Sequence, residues 1–152
     1  MTRFPVFCFV ALAVTVAASP ARADRCDDLA RQLKSQIDGL SIGRTAANVI
    51  YLSHPAARQI RLGCAGRSVS NEIYAVSDRR KPAPGFANLV ASAAAIVFTI
   101  PKPDTLKGAT RCLGRLGILR GNDIKMRFRR LDLRCTRDKS SATIAISRGK
   151  DE

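Results

Sequence analysis

The sequence predicts an α+β fold: one antiparallel sheet of about five strands with helices packed on one face, in the order α-βββ-α-α-ββ, stapled by disulfides. Three observations predict it. Apolar residues recur at helical spacing in three segments and at alternating spacing in the others. The connections between successive strand-like runs are too short for parallel crossovers. Four cysteines, Cys26, Cys64, Cys112 and Cys135, lie far apart in the part of the chain that carries these patterns.

Residues 1 to 23 read as a cleavable secretory signal. Arg3 supplies the basic start, and Phe4 to Ala18 is apolar apart from Pro5 and Thr15. Ser19-Pro20 then breaks the run ahead of Ala21-Arg22-Ala23. The run is shorter than the roughly 20 residues of a membrane span, and no cysteine stands where a lipid would be attached. The expected mature chain is a single domain, residues 24–152, with no transmembrane segment. The 26 basic residues lose only Arg3 and Arg22, and all 12 acidic residues stay, which leaves a mature charge of +12. Such a charge favours an anionic partner, although 19 Arg against 7 Lys is also what a GC-rich coding sequence yields.

The elements follow in order. Cys26, Leu29, Ala30, Leu33, Ile37 and Leu40 mark an amphipathic helix over 25–38, capped by Asp24 and stopped by Gly39. Three strands are predicted at Ala47–Ser53, Gln59–Cys64 and Asn71–Ser77. The second alternates Ile60, Leu62 and Cys64 against Gln59 and Arg61. After the Pro-rich stretch 78–85, residues 86–100 are nearly all apolar. Their polar positions, Asn88, Ser92 and Thr99, share one helical stripe, so a buried helix is predicted over 86–98; a helix lining an apolar ligand groove is the alternative. A further helix, Thr105–Leu116, is expected with Asp104 as its cap and Gly117 as its stop. Ile124, Met126 and Phe128 then alternate with Lys125, Arg127 and Arg129. Beyond Arg130 the apolar phase moves to Leu131, Leu133 and Cys135, which predicts a β-bulge at Arg129-Arg130. A turn at 138–141 leads into a last strand through Ala142, Ile144 and Ile146. The element order resembles that of secretion-chaperone-like α+β folds, a likeness of order alone that covers no motif and fixes no function.

An even number of widely spaced cysteines with no C-x-x-C reads as two structural disulfides. The pairing expected is Cys26–Cys64 with Cys112–Cys135, because each pair joins the apolar side of a helix to an inward strand position. Cys26–Cys135 with Cys64–Cys112 is the second choice.

Acid–base chemistry is poorly supplied. The one histidine, His54, precedes Pro55 at a strand end. No nucleophile elbow, Gly-rich phosphate loop or metal-ligand cluster occurs, so no catalytic residue, cofactor or metal is expected. The positive constellation is the arginine-rich stretch 111–137. Its anion-binding candidates are a helical stripe, Lys107, Arg111 and Arg115, and a strand face, Lys125, Arg127 and Arg129; Arg120, Arg130, Arg134 and Arg137 lie in the same stretch. A charged strand face opposite an apolar one is also the ordinary solvated face of a sheet. Few aromatic residues are present to stack bases, which disfavours nucleic acid. The expectation is a small, strongly basic, periplasmic or secreted binding domain without catalytic activity, contacting an anionic envelope surface or an acidic protein. The alternative is an envelope enzyme or enzyme accessory factor with a site the sequence does not display.

Overall fold

Cys26, Ala30, Leu33 and Ile37 recur three to four residues apart, and in the computed structural model they form the buried stripe of α1 (Ala23–Gln36). The structure describes residues 23–66, 69–117, 119 and 121–149. The predicted signal segment up to Arg22, and Arg120, lie outside the described residues. Asp24, expected as the cap, is instead the second residue of the helix. Gly39 takes a positive φ of 77°, which turns the chain out of the helix region as expected.

Four strands follow where three were predicted: β1 (Ser41–Ala46), β2 (Val49–His54), β3 (Ala57–Gly63) and β4 (Glu72–Val76). The additional strand, β1, is exposed along its whole length and lies at the edge of the sheet. A strand that buries neither face shows no alternation. Ala47 and Asn48, expected within β2, are the two turn residues of the β1–β2 hairpin, with φ of 47° and 61°. This is the two-residue turn whose twist suits antiparallel strands.

The helices α2 (Pro84–Phe98) and α3 (Lys102–Gly114) come next, then β5 (Asp123–Phe128), β6 (Leu131–Arg137) and β7 (Ala142–Arg148). Pro101 is the N-cap of α3, and Asp104 sits in the first turn, not at the cap. There a carboxylate still complements the helix dipole. The helix ends at Gly114, short of the expected Gly117.

The predicted β-bulge is replaced by a hairpin turn. Arg129 and Arg130 have φ of 48° and 63°, and Phe128 pairs directly with Leu131. Both arrangements keep Phe128 and Leu131 on one face, so alternation alone does not separate them. A turn of this type favours Asn-Gly, and Arg-Arg carries none of that signal. The sheet therefore has seven strands, not about five, in the order β1-β2-β3-β4-β7-β6-β5, all antiparallel.

Register puts Ile50, Leu62, Ile73, Ile146, Leu133 and Met126 in one cross-strand row, and Leu52, Ile60, Ala75, Ile144, Cys135 and Ile124 in the next. These rows and the inward residues of all three helices form one core. The near-continuous apolarity of α2 is thus mainly core: Phe86, Leu89, Val90, Ala93, Ala94 and Val97 are buried. The Thr105 hydroxyl donates to the Ala91 carbonyl at 2.8 Å and ties α3 to α2.

Both expected disulfides are present. Cys26–Cys64 joins α1 to the end of β3, and Cys112–Cys135 joins α3 to β6. Two such bridges suit a chain that folds in an oxidising compartment. Among the described residues no helix is long and apolar enough to cross a membrane.

The β6–β7 turn is built on Asp138. Its Oδ1 accepts from the Ser140 and Ser141 amides at 2.8 and 2.7 Å, and its Oδ2 accepts from the Ser141 hydroxyl at 2.8 Å. These bonds, the Ser140 amide first, bring its carboxyl from the ordinary 3.8 down to about 2. A depressed folded value means that the carboxylate stabilises the fold fully above about pH 4, and that this contribution is lost as pH falls through about 2. The stability difference between the parent and Asp138→Ala is therefore expected to be constant near neutrality and to shrink on acidification across that window. Urea titrations at stepped pH measure it.

Candidate functional site

Alternation fixes what the second face of the sheet displays. While one set of side chains enters the core, Tyr51, Arg61, Tyr74, Thr143, Ala145, Ser147, Asp132, Arg134, Lys125 and Arg127 take the opposite face, which none of the described helices covers. Register aligns one row across six strands: Tyr51, Arg61, Tyr74, Ala145, Arg134 and Lys125.

The aromatic half of this row carries cations on its rings. The Arg61 guanidinium lies 3.9 Å from the Tyr74 ring centroid, and Arg44 lies 4.8 Å from that of Tyr51. Stacking of this kind holds a guanidinium in place while leaving its edge donors available. The cationic half sets Lys125 directly opposite Arg134 on paired strands. Like charges in that position destabilise a sheet by some tenths of a kcal/mol. Part of this is offset by Asp123, which takes Arg134 through two bonds, Nε to Oδ1 at 3.1 Å and Nη2 to Oδ2 at 2.7 Å. The Arg134 hydrogen bond holds the Asp123 carboxyl below the usual carboxylate range. Lys125 forms no ion pair with a described carboxylate.

Between the two halves Ala145 leaves a gap, and its neighbours Thr143 and Ser147 are also small. The result is a dish of about 900 Å³. Thr143, Ala145 and Ser147 form its floor. Arg61, Glu72 and Tyr74 wall one side, and Lys125, Arg127, Asp132 and Arg134 wall the other. Four cations against two carboxylates give it a net positive lining.

The six predicted anion-binding residues do not form one site. Lys125 and Arg127 line the dish, with Arg127 4.0 Å from Asp132. Arg129 occupies the β5–β6 turn and pairs with Asp104 of α3 at 3.5 Å. Lys107 and Arg111 line a shallow depression of about 540 Å³ on the outer side of α3, with Arg111 5.7 Å from the Phe128 ring centroid. Arg115 caps the end of that helix. Since α3 packs on the apolar face, its stripe lies on the opposite side of the sheet from Lys125 and Arg127.

Arg61, Glu72 and Tyr74 join the site although sequence reasoning left them out. The signal available was their outward phase in β3 and β4. What placed them beside the basic strands is the pairing of β4 with β7, a contact between segments about seventy residues apart.

His54 serves the β2–β3 turn. Its Nδ1 accepts from the Ala56 amide at 3.0 Å, which leaves the ring proton on Nε2, 3.0 Å from the Asp38 carbonyl. Both nitrogens are thereby engaged with backbone.

These features define a class: a helix-backed antiparallel sheet with two disulfides and an open, concave, cationic face. No protein-family model, curated protein or solved structure matches the chain.

Proposed function

We propose that the protein is an exported binding domain, acting in the periplasm or outside the cell, whose open sheet face receives an acidic segment of another protein. The observation that carries this reading is the row Arg61–Tyr74–Ala145–Arg134–Lys125. It sets two cations directly opposite each other beside a gap in the side-chain layer. An anionic group seated over Ala145 would relieve the repulsion between Lys125 and Arg134, and could accept from the donors of Arg61.

Between the two anionic partner classes, the lining favours protein over a lipid surface. Glu72 and Asp132 stand among the cations. Carboxylates in that position oppose a uniformly negative surface, but they suit a partner that also offers donors. A concave dish likewise fits a protruding segment better than a flat bilayer.

The test separates this site from unspecific attraction by a basic protein. The dish variant, Lys125→Ser with Arg127→Ser, and a helix variant, Arg111→Ser with Arg115→Ser, remove equal charge from opposite sides of the sheet. Binding of a ten-residue Glu-rich peptide that also carries Ser and Tyr is followed by fluorescence anisotropy over a salt series. The dish variant is expected to bind about tenfold more weakly at low salt, with a flatter salt dependence, and the helix variant to match the parent. Equal losses in both variants would return the strand residues to an ordinary solvated face.

A further inference from the structure

On the other side of the molecule a second cavity has different chemistry. The connector 80–83, the first turns of α2 and the end of α3 enclose about 810 Å³. This is within the range of roughly 300 to 1,000 Å³ usual for small-molecule sites. Pro82, Ala87, Leu106 and Leu113 supply apolar lining, with Lys81, Asn88 and Thr110 beside them. The cavity continues into a neighbouring cleft lined by Arg80, Arg115 and Arg137; Arg80 and Arg137 border both spaces. Among the described residues no carboxylate lines either one, in contrast with the dish on the open face. At the junction, Arg137 Nη1 donates to the Leu116 carbonyl at 2.9 Å, and the buried Nε of the same side chain has no hydrogen-bond partner. The helix α2 opens beside this space with neither a capping side chain nor an acidic residue in its first turn.

We infer that this groove is a binding site for a single-chain anionic amphiphile, with the apolar tail along Pro82, Ala87, Leu106 and Leu113 and a carboxylate or phosphate head at Arg80 and Arg137. The charged side chains along the two spaces, Arg80, Lys81, Arg115 and Arg137, are all cations, and their combination with the apolar lining is what selects an amphiphile over a wholly apolar or a wholly ionic ligand. This site is independent of the acidic-segment reading, since it lies on the helix side of the sheet. Of the predicted helix 86–98, Ala87 and Asn88 line this groove.

Gly114 provides the test variant. A Cβ built there meets no atom within 4 Å, and the position borders both cavities. Gly114→Phe therefore plugs the site without disturbing the fold, which an unchanged melting temperature checks. The purified protein is titrated calorimetrically, below their micellar range, with dodecanoate, dodecyl phosphate and dodecan-1-ol. The expected result is saturable binding of one or both anionic probes, at least tenfold weaker binding of the alcohol, and at least tenfold loss in both Gly114→Phe and Arg80→Ser. The better of the two anionic probes identifies the head group. Lys125→Ser with Arg127→Ser is expected to leave the titration unchanged, so failure at either site is read separately. Absence of binding by both anions, equal binding of the alcohol, or binding unaffected by Gly114→Phe would each overturn the inference. Binding only of an apolar-acidic peptide in this groove would overturn it as well, in favour of a protein ligand.

Discussion

Reduction of both disulfides is expected to remove about 7 kcal/mol of stability, comparable to the whole folding free energy of a domain of this size, about 5 to 15 kcal/mol. The two bridges close loops with sequence separations of 38 and 23 residues. Loop-closure entropy assigns them about 3.9 and about 3.4 kcal/mol. Each also fastens one layer to the other. Cys26–Cys64 anchors α1, an element the chain reaches before any strand exists, to the end of β3. Cys112 and Cys135 are both fully buried, so their bridge passes through the core between α3 and β6. Urea unfolding of the oxidised protein, the reduced protein and the pairs Cys26→Ala/Cys64→Ala and Cys112→Ala/Cys135→Ala measures these contributions. Each pair is expected to lower the midpoint by the equivalent of about 3 to 4 kcal/mol. A reduced protein with the midpoint of the oxidised one would show that the bridges do not constrain the unfolded chain.

Gly108→Leu is expected to be the most damaging single substitution on α3, at about 3 kcal/mol. The helix lies so close to the sheet that a Cβ at this position would stand 3.0 Å from Phe128 Cδ1 and 3.6 Å from Leu133 Cδ2. Gly in a helix interior costs about 1 kcal/mol relative to Ala, so its presence here is explained by that approach and not by propensity. A leucine must push Phe128 outward and separate α3 from β5 and β6. For a domain of this size the corresponding fall in melting temperature is roughly 10 °C. Gly114→Leu, on the same helix with nothing within 4 Å of its added Cβ, is the control and is expected to melt with the parent. Equal melting of the two variants would contradict the close packing of α3 on the sheet.

The parts of this fold that the sequence displays are those where one face is buried. Alternation in Gln59–Cys64 and Ile124–Phe128, and helical spacing in Cys26–Ile37, each follow from a core on one side only. The disulfide pairing was legible for the same reason: every bonded cysteine continues an inward-facing series. The edge strand β1 was not, because Ser41 to Ala46 buries nothing. The β5–β6 turn was hidden because Arg129 and Arg130 adopt positive φ without the Asn or Gly that usually announces it. That substitution of a turn for a bulge matters for the site. It folds Arg134 back against Lys125, where a continuous strand would have carried it onward. Lys125 and Arg127 could be picked from their phase, but their partners Arg61 and Tyr74 depend on strand order, which is a property of non-local pairing. Lys107 and Arg111, equally basic in sequence, fall on the far side because α3 covers the apolar face.

Recognition of an acidic segment by the open sheet face, as proposed above, differs from attraction by basic charge as such in where the ligand sits. Amide chemical-shift mapping on titration with the Glu-rich peptide locates it. Saturable perturbations are expected to cluster on the described strands lining the dish, at Arg61, Tyr74, Lys125, Arg134 and Ala145. Perturbations concentrated at Lys107, Arg111 and Arg115 on α3, or spread over all basic residues without saturation, would contradict it.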